Sequence, residues 1–114
     1  MIHKNDLRFG NIVKSRSRNE IITIDTFDTF KRVSRLSVTH EYVPLTEEWL
    51  LKFGAKELKA KRGVLKEFVL KTVRIELSNS YNFYYKNSKI IIESVSQLQN
   101  LYHALTGQEL TIKP

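Results

Sequence analysis

The stretch that most constrains this chain lies near its end: Ser94-Val95-Ser96-Gln97-Leu98-Gln99-Asn100-Leu101-Tyr102-His103-Ala104-Leu105-Thr106-Gly107. Ser94 and Gln97 have the spacing of a capping box, in which each side chain satisfies a backbone N–H left over at a helix start. Val95, Leu98, Leu101, Tyr102 and Leu105 recur at three- and four-residue steps and form one apolar stripe. Gly107 follows the last of them, where a left-handed C-terminal cap favours glycine. A helix with one apolar stripe needs a surface to bury it, and the residues before it supply a sheet.

Two groups of short strands are expected upstream. Residues 7–14 read as a first strand with a bend at Gly10-Asn11, residues 20–25 as its β-branched hairpin partner, and residues 32–38 as a third. Pro44 keeps Val43 extended. Thr46 then caps a short helix, Glu47-Glu48-Trp49-Leu50-Leu51-Lys52-Phe53, closed by Gly54, with Trp49, Leu50 and Phe53 toward the core. Residues 55–63 are the least structured and most basic stretch. Strands follow near residues 65–70, 72–78, 82–85 and 89–93, and in the second of these Val73, Ile75 and Leu77 alternate with polar neighbours. Residues 109–112 suggest a last edge strand. The chain of 114 residues suits one domain, 1–114. The expected class is α+β: a small antiparallel, SH3-like or curled sheet with one short helix and a longer C-terminal helix packed on it.

Charge gives the first functional direction. The net charge is +7, and residues 52–74 hold eight Lys/Arg against two Asp/Glu, whereas residues 41–51 hold three Glu and no base. A concentrated basic surface attracts polyanions. Lys52, Lys56, Lys59, Lys61, Arg62 and Lys66, with Arg16 and Arg18 in the first turn, are the candidate phosphate contacts, and their irregular spacing carries no sequence code. The aromatic run Tyr81-Asn82-Phe83-Tyr84-Tyr85 places Tyr81, Phe83 and Tyr85 on one strand face and Tyr84 on the other. Such a face is either the core under the C-terminal helix or an exposed platform for stacking bases or a protein partner, through Tyr81 and Tyr84.

The chemistry of catalysis finds little here. Cysteine is absent, which removes thiolate zinc sites, disulfides and a thiol nucleophile, and fits a reducing cytoplasm. His3, His40 and His103 have no ligand at metal-binding spacing, the serines sit in no nucleophile elbow, and Asp25 and Asp28 read as turn residues. No cofactor is indicated. The first residues lack the apolar core of a leader, and no apolar run reaches the roughly 18 residues that span a bilayer, so an intracellular protein without a membrane partner is expected.

Three blocks resemble a family of small phage and prophage proteins of Bacteroidetes-type bacteria. They are Leu7-Arg8-Phe9-Gly10-Asn11-Ile12-Val13, then Pro44-Leu45-Thr46-Glu47-Glu48-Trp49-Leu50-Leu51-Lys52-Phe53-Gly54, then Gln97-Leu98-Gln99-Asn100-Leu101-Tyr102-His103-Ala104-Leu105-Thr106-Gly107-Gln108-Glu109-Leu110-Thr111. The resemblance covers most of the chain but supplies caps and helix cores, and no catalytic residue. The basic stretch 56–66 departs from the family pattern. A phage context implies a non-enzymatic protein that binds and disables a bacterial host machine in the host cytoplasm. An anti-CRISPR inhibitor of an RNA-guided, RNA-targeting (type VI) effector nuclease or its guide RNA is the expected form. The alternative is a nucleic-acid-binding accessory protein of phage replication or regulation.

Overall fold

The structure is a computed structural model and describes residues 8, 10–15, 19–24, 40–59, 64–78, 80–86 and 90–113. Among the described residues, eight strands form two antiparallel sheets. In the first, β1 (Ile12–Ser15) lies between β2 (Glu20–Thr23) and β3 (His40–Tyr42). The second is a meander in chain order: β4 (Lys56–Leu58), β5 (Val64–Leu70), β6 (Val73–Ser78), β7 (Phe83–Tyr85) and β8 (Ile90–Ile92). Helix α1 (Glu47–Lys52) connects the sheets, and α2 (Val95–Thr106) follows β8. The α+β class stands, with its antiparallel strands divided between two sheets.

Both helices begin and end where their local signals place them. The Thr46 hydroxyl accepts from the Trp49 N–H at 3.3 Å, and the Ser94 hydroxyl accepts from the Gln97 N–H at 3.0 Å. Gln97 accepts from the N–H of Glu93, one residue before the cap, and its own amide donates to the Ile91 carbonyl. Gly107 is left-handed at φ 73° and closes α2 on the His103 carbonyl.

The main core lies between the five-stranded sheet and the two helices. Phe68, Ile75, Leu50, Phe53, Val95 and Leu98 are all at most 1% exposed. Register explains which residues meet there: Phe68 lies opposite Ile75, Leu70 opposite Val73, and Leu77 between Lys66 and Phe83. The apolar stripe of α2 is shorter than its sequence suggests, because Leu105 is 46% exposed and Tyr102 is the last of its members in the core. A small second cluster, Val13 and Ile24 with Ile22 and Tyr42 against it, belongs to the first sheet.

Four other expectations are corrected. Residues 55–63 are not wholly loop, since Lys56–Leu58 pairs with β5 at the sheet edge; an edge strand tolerates the charged residues that hide it in the sequence. Strand β1 begins at Ile12, after Arg8, Gly10 and Asn11 of the expected strand, because Gly10 at φ 93° turns the chain and the Asn11 side chain accepts the Arg8 N–H; Leu7 and Phe9 lie outside the described residues. Residues 109–112 pair with no strand; the tail is fixed instead by buried Leu110 and by the Lys113 N–H, which donates to the Lys52 carbonyl. Tyr81 does not share the strand face of Phe83 and Tyr85: it precedes β7 in a turn at φ 63°. The proposed strand at 32–38 lies outside the described residues.

Candidate functional site

Antiparallel register gathers cations that are far apart in the chain. Lys56 lies opposite Val69, Val69 lies opposite Arg74, and the Lys86 N–H donates to the Arg74 carbonyl. These three residues therefore cross the outer face of the sheet in one row, on the side away from Phe68 and Ile75. Lys71 is in the two-residue turn between β5 and β6, at the same end. The tail adds Lys113, whose N–H binds the Lys52 carbonyl, and whose side chain covers Gly54; a Cβ on that glycine would stand 2.8 Å from Lys113 Cγ. One end of the sheet thus carries Lys52, Lys56, Lys71, Arg74, Lys86 and Lys113.

The acids at this end neutralise only part of it. Glu67, with its side chain 2% exposed, accepts from Lys86 Nζ at 2.9 Å and faces Arg74 at 3.5 Å. Glu76 stands opposite Glu67 and is also buried, so these cations relieve a like-charge contact across the strands. Lys52 faces Glu48 at 3.6 Å and sits 4.8 Å from the centre of the Trp49 ring, a cation–π contact. Lys71 donates to the neutral Gln108 amide at 2.6 Å. Lys56, Lys71 and Lys113 have no acidic partner among the described residues and are exposed. They form the charge available to a partner.

The sequence candidates divide accordingly. Lys56 belongs to this basic end. Lys59 is exposed just beyond β4, toward the opposite end of the sheet. Lys66 points to the core side and bridges α1 to the sheet edge, 2.8 Å from Glu47 and 3.5 Å from Glu57. Glu47, as hydrogen-bond acceptor and as charge, and then the charge of Glu57 raise the Lys66 ammonium above its usual pKa. Its charge is therefore answered within the fold. Tyr84 is half-buried on the outer face opposite Glu76, and Tyr81 is 76% exposed. Arg16, Arg18, Lys61 and Arg62 lie outside the described residues. Lys71, Arg74, Lys86 and Lys113 are the members that spacing did not reveal. The signal for Lys71, Arg74 and Lys86 is their place in the strand register, which needs the pairing of β4 to β7 to be known, and Lys113 is placed by the tail's bond to Lys52.

Comparison with protein-family models, with curated proteins and with solved structures returns no match. Among the described residues, no helix is long and apolar enough to cross a membrane.

Proposed function

We propose that this protein is a non-enzymatic binding module that docks its basic end on the phosphates of a nucleic acid, free or held in a nucleoprotein. The observation that carries the reading is the convergence of Lys56, Lys71 and Lys113, from three separate parts of the chain, on one exposed end of the sheet without acidic partners among the described residues. Such a surface has long-range attraction for polyanions and makes contacts that fix position without reading sequence. The resemblance to phage and prophage proteins supports a bacterial defence nucleoprotein as the target. In that form the protein is an anti-CRISPR inhibitor in the host cytoplasm, acting on a type VI effector or its guide RNA.

The test is the salt dependence of binding. Affinity for single strands falls with a log–log slope of about 0.7 per neutralised phosphate. The triple variant Lys56→Glu, Lys71→Glu, Lys113→Glu leaves the pairs around Glu67 intact. Its slope should be shallower by about 2 if each lysine meets one phosphate. Capture from a host lysate with and without nuclease separates the two settings: a single protein that survives nuclease identifies a nucleoprotein target, and heterogeneous nucleic acid identifies an accessory role. Unchanged affinity and slope in the folded triple variant would refute the basic end as the contact.

A further inference from the structure

Strand β2 is an edge of the three-stranded sheet, and its backbone offers hydrogen bonds on the side away from β1. The Ile24 N–H donates to the Asn11 carbonyl and the Ile24 carbonyl accepts from the Gly10 N–H, so Ile24 turns its backbone groups toward the start of β1. Hydrogen bonding alternates along an antiparallel ladder, so Ile22 does the same, while Thr23 and Ile21 point theirs outward. Ile12, opposite Thr23, fixes this phase: its N–H and carbonyl are taken by Gln99 and Ser96, on the side of β1 away from β2. Two N–H and two C=O groups thus lie along the outer edge of β2, and no strand pairs with them among the described residues. Glu20, Ile21 and Thr23 are exposed, Ile21 to 49%.

The edges of the larger sheet are guarded. Beyond β8, the Gln97 side chain occupies the Ile91 carbonyl and the Glu93 N–H. At β4, Lys56 and Glu57 place charge on the edge strand, a common device against strand addition. Strand β2 has two isoleucines at its centre and neither device.

We propose that β2 pairs with β2 of a second copy of this chain, antiparallel about a two-fold axis at Ile22. In that register Ile21 of each copy meets Thr23 of the other, and every outward N–H and C=O finds a partner. Registers centred on Ile21 or on Thr23 carry the other residue's partner beyond the end of the strand. The side chains agree with the backbone. Ile22 stands opposite its own counterpart in a non-hydrogen-bonded pair, with Cα atoms about 4.5 Å apart. It packs on the Val13–Ile24 cluster, so the contact joins two small apolar clusters across the axis. Glu20 falls opposite Ile24 of the other copy, so no like charges face each other in the ladder. A strand pair this short buries less than the roughly 800 Å² per partner of a stable interface, and the dimer is a weak one. It sets two basic ends on one particle, but the pairing does not depend on what those ends bind.

Sedimentation equilibrium of nuclease-treated protein, from about 10 µM to about 1 mM, should show the weight-average mass climbing from monomer toward dimer. Raised salt should strengthen this association, because two chains of net charge +7 repel, whereas copies bridged by nucleic acid come apart in salt. Ile21→Lys, at an exposed position, should weaken association by about tenfold or more. The chain has no cysteine, so single cysteines report the register. Ile21→Cys and Thr23→Cys chains, mixed in a glutathione buffer, should form a mixed disulfide dimer, since their Cα atoms would lie about 5.5 Å apart. Either variant alone should cross-link far more slowly, because a two-residue offset holds like positions about 8 Å apart. Protein that stays monomeric at about 1 mM overturns the pairing, even if the edge then accepts an extended segment of another protein. So does association that Ile21→Lys leaves unchanged, or cross-linking as fast within one variant as between the two. None of these outcomes touches the salt slope of nucleic-acid binding, so the two proposals fail separately.

Discussion

Gln99 is the residue whose replacement should do most damage for its size. It is 1% exposed, on the side of α2 that faces β1. Its Oε1 accepts from the Ile12 N–H at 2.9 Å, and its amide donates to the Gly10 carbonyl at 2.8 Å and the Leu110 carbonyl at 3.3 Å. One side chain thus joins the first sheet, the helix and the tail. Gln99→Leu keeps the volume but leaves the Ile12 N–H and Leu110 carbonyl unpaired in the interior, each costing about 1–3 kcal/mol, while the partly exposed Gly10 carbonyl can turn to water. The expected loss is about 2–5 kcal/mol, a large part of the roughly 5–15 kcal/mol that holds most domains folded. Urea unfolding at neutral pH measures it. Gln99→Glu adds a second readout. A protonated glutamic acid reproduces one acceptor and one donor, whereas the ionised form turns a buried negative charge on two carbonyl oxygens. Its folded pKa must therefore exceed the unfolded value of about 4.3. Relative to wild type, the variant should be least impaired below that value and lose stability as pH rises through the folded one. A loss under about 1 kcal/mol in Gln99→Leu, or a pH-independent deficit in Gln99→Glu, would refute this account of the network.

The other predictions concern the sheet and its edge. Lys71 occupies a left-handed turn position at φ 59°, so Lys71→Gly should stabilise the fold by up to about 1 kcal/mol in thermal or urea unfolding while weakening nucleic-acid binding. Lys66 has a raised pKa, so its ion pairs contribute fully below its unfolded value of 10.5 and fade as pH climbs through the higher folded one. Lys66→Met should remove that alkaline dependence, read from melting temperatures across the window above 10.5.

What the sequence discloses and what it conceals follow the range of the interactions. The bounds of α2 were legible because Ser94, Gln97 and Gly107 act on their own turns of helix. The alternation of β6 was legible because one face meets a core and the other does not. The polar stripe of α2 was not, because Ser96 and Gln99 read as surface residues until Ile12, more than eighty positions away, is laid beside them. There β3 has already parted from β1, whose last pair with it is Val13 opposite Tyr42, and side chains of α2 take up the N–H and carbonyl of Ile12. The basic end was half legible for the same reason. Lys56 stands in a visibly basic stretch, but Arg74 joins it only through Val69, and Lys113 only through the tail's bond to Lys52.

Backbone strain marks one residue at each end of the five-stranded sheet. Among the described residues, Asn19, Lys71 and Tyr81 are the non-glycine residues with positive φ. Asn19 suits such a turn, since its short polar side chain tolerates the left-handed region. A lysine and a tyrosine do not, and each holds its conformation at a cost of about 1–2 kcal/mol that glycine would avoid. Burial offers no compensation, because Lys71 is exposed and Tyr81 is 76% exposed. Lys71 projects at the basic end, where the proposed phosphate contact would use it, and Tyr81 at the opposite end of the same sheet. A chain selected for stability alone would replace both. On the proposed function Lys71 serves the outside contact as well as its bond to the Gln108 amide, and the gain in stability with loss of binding expected of Lys71→Gly is the direct measure of that exchange.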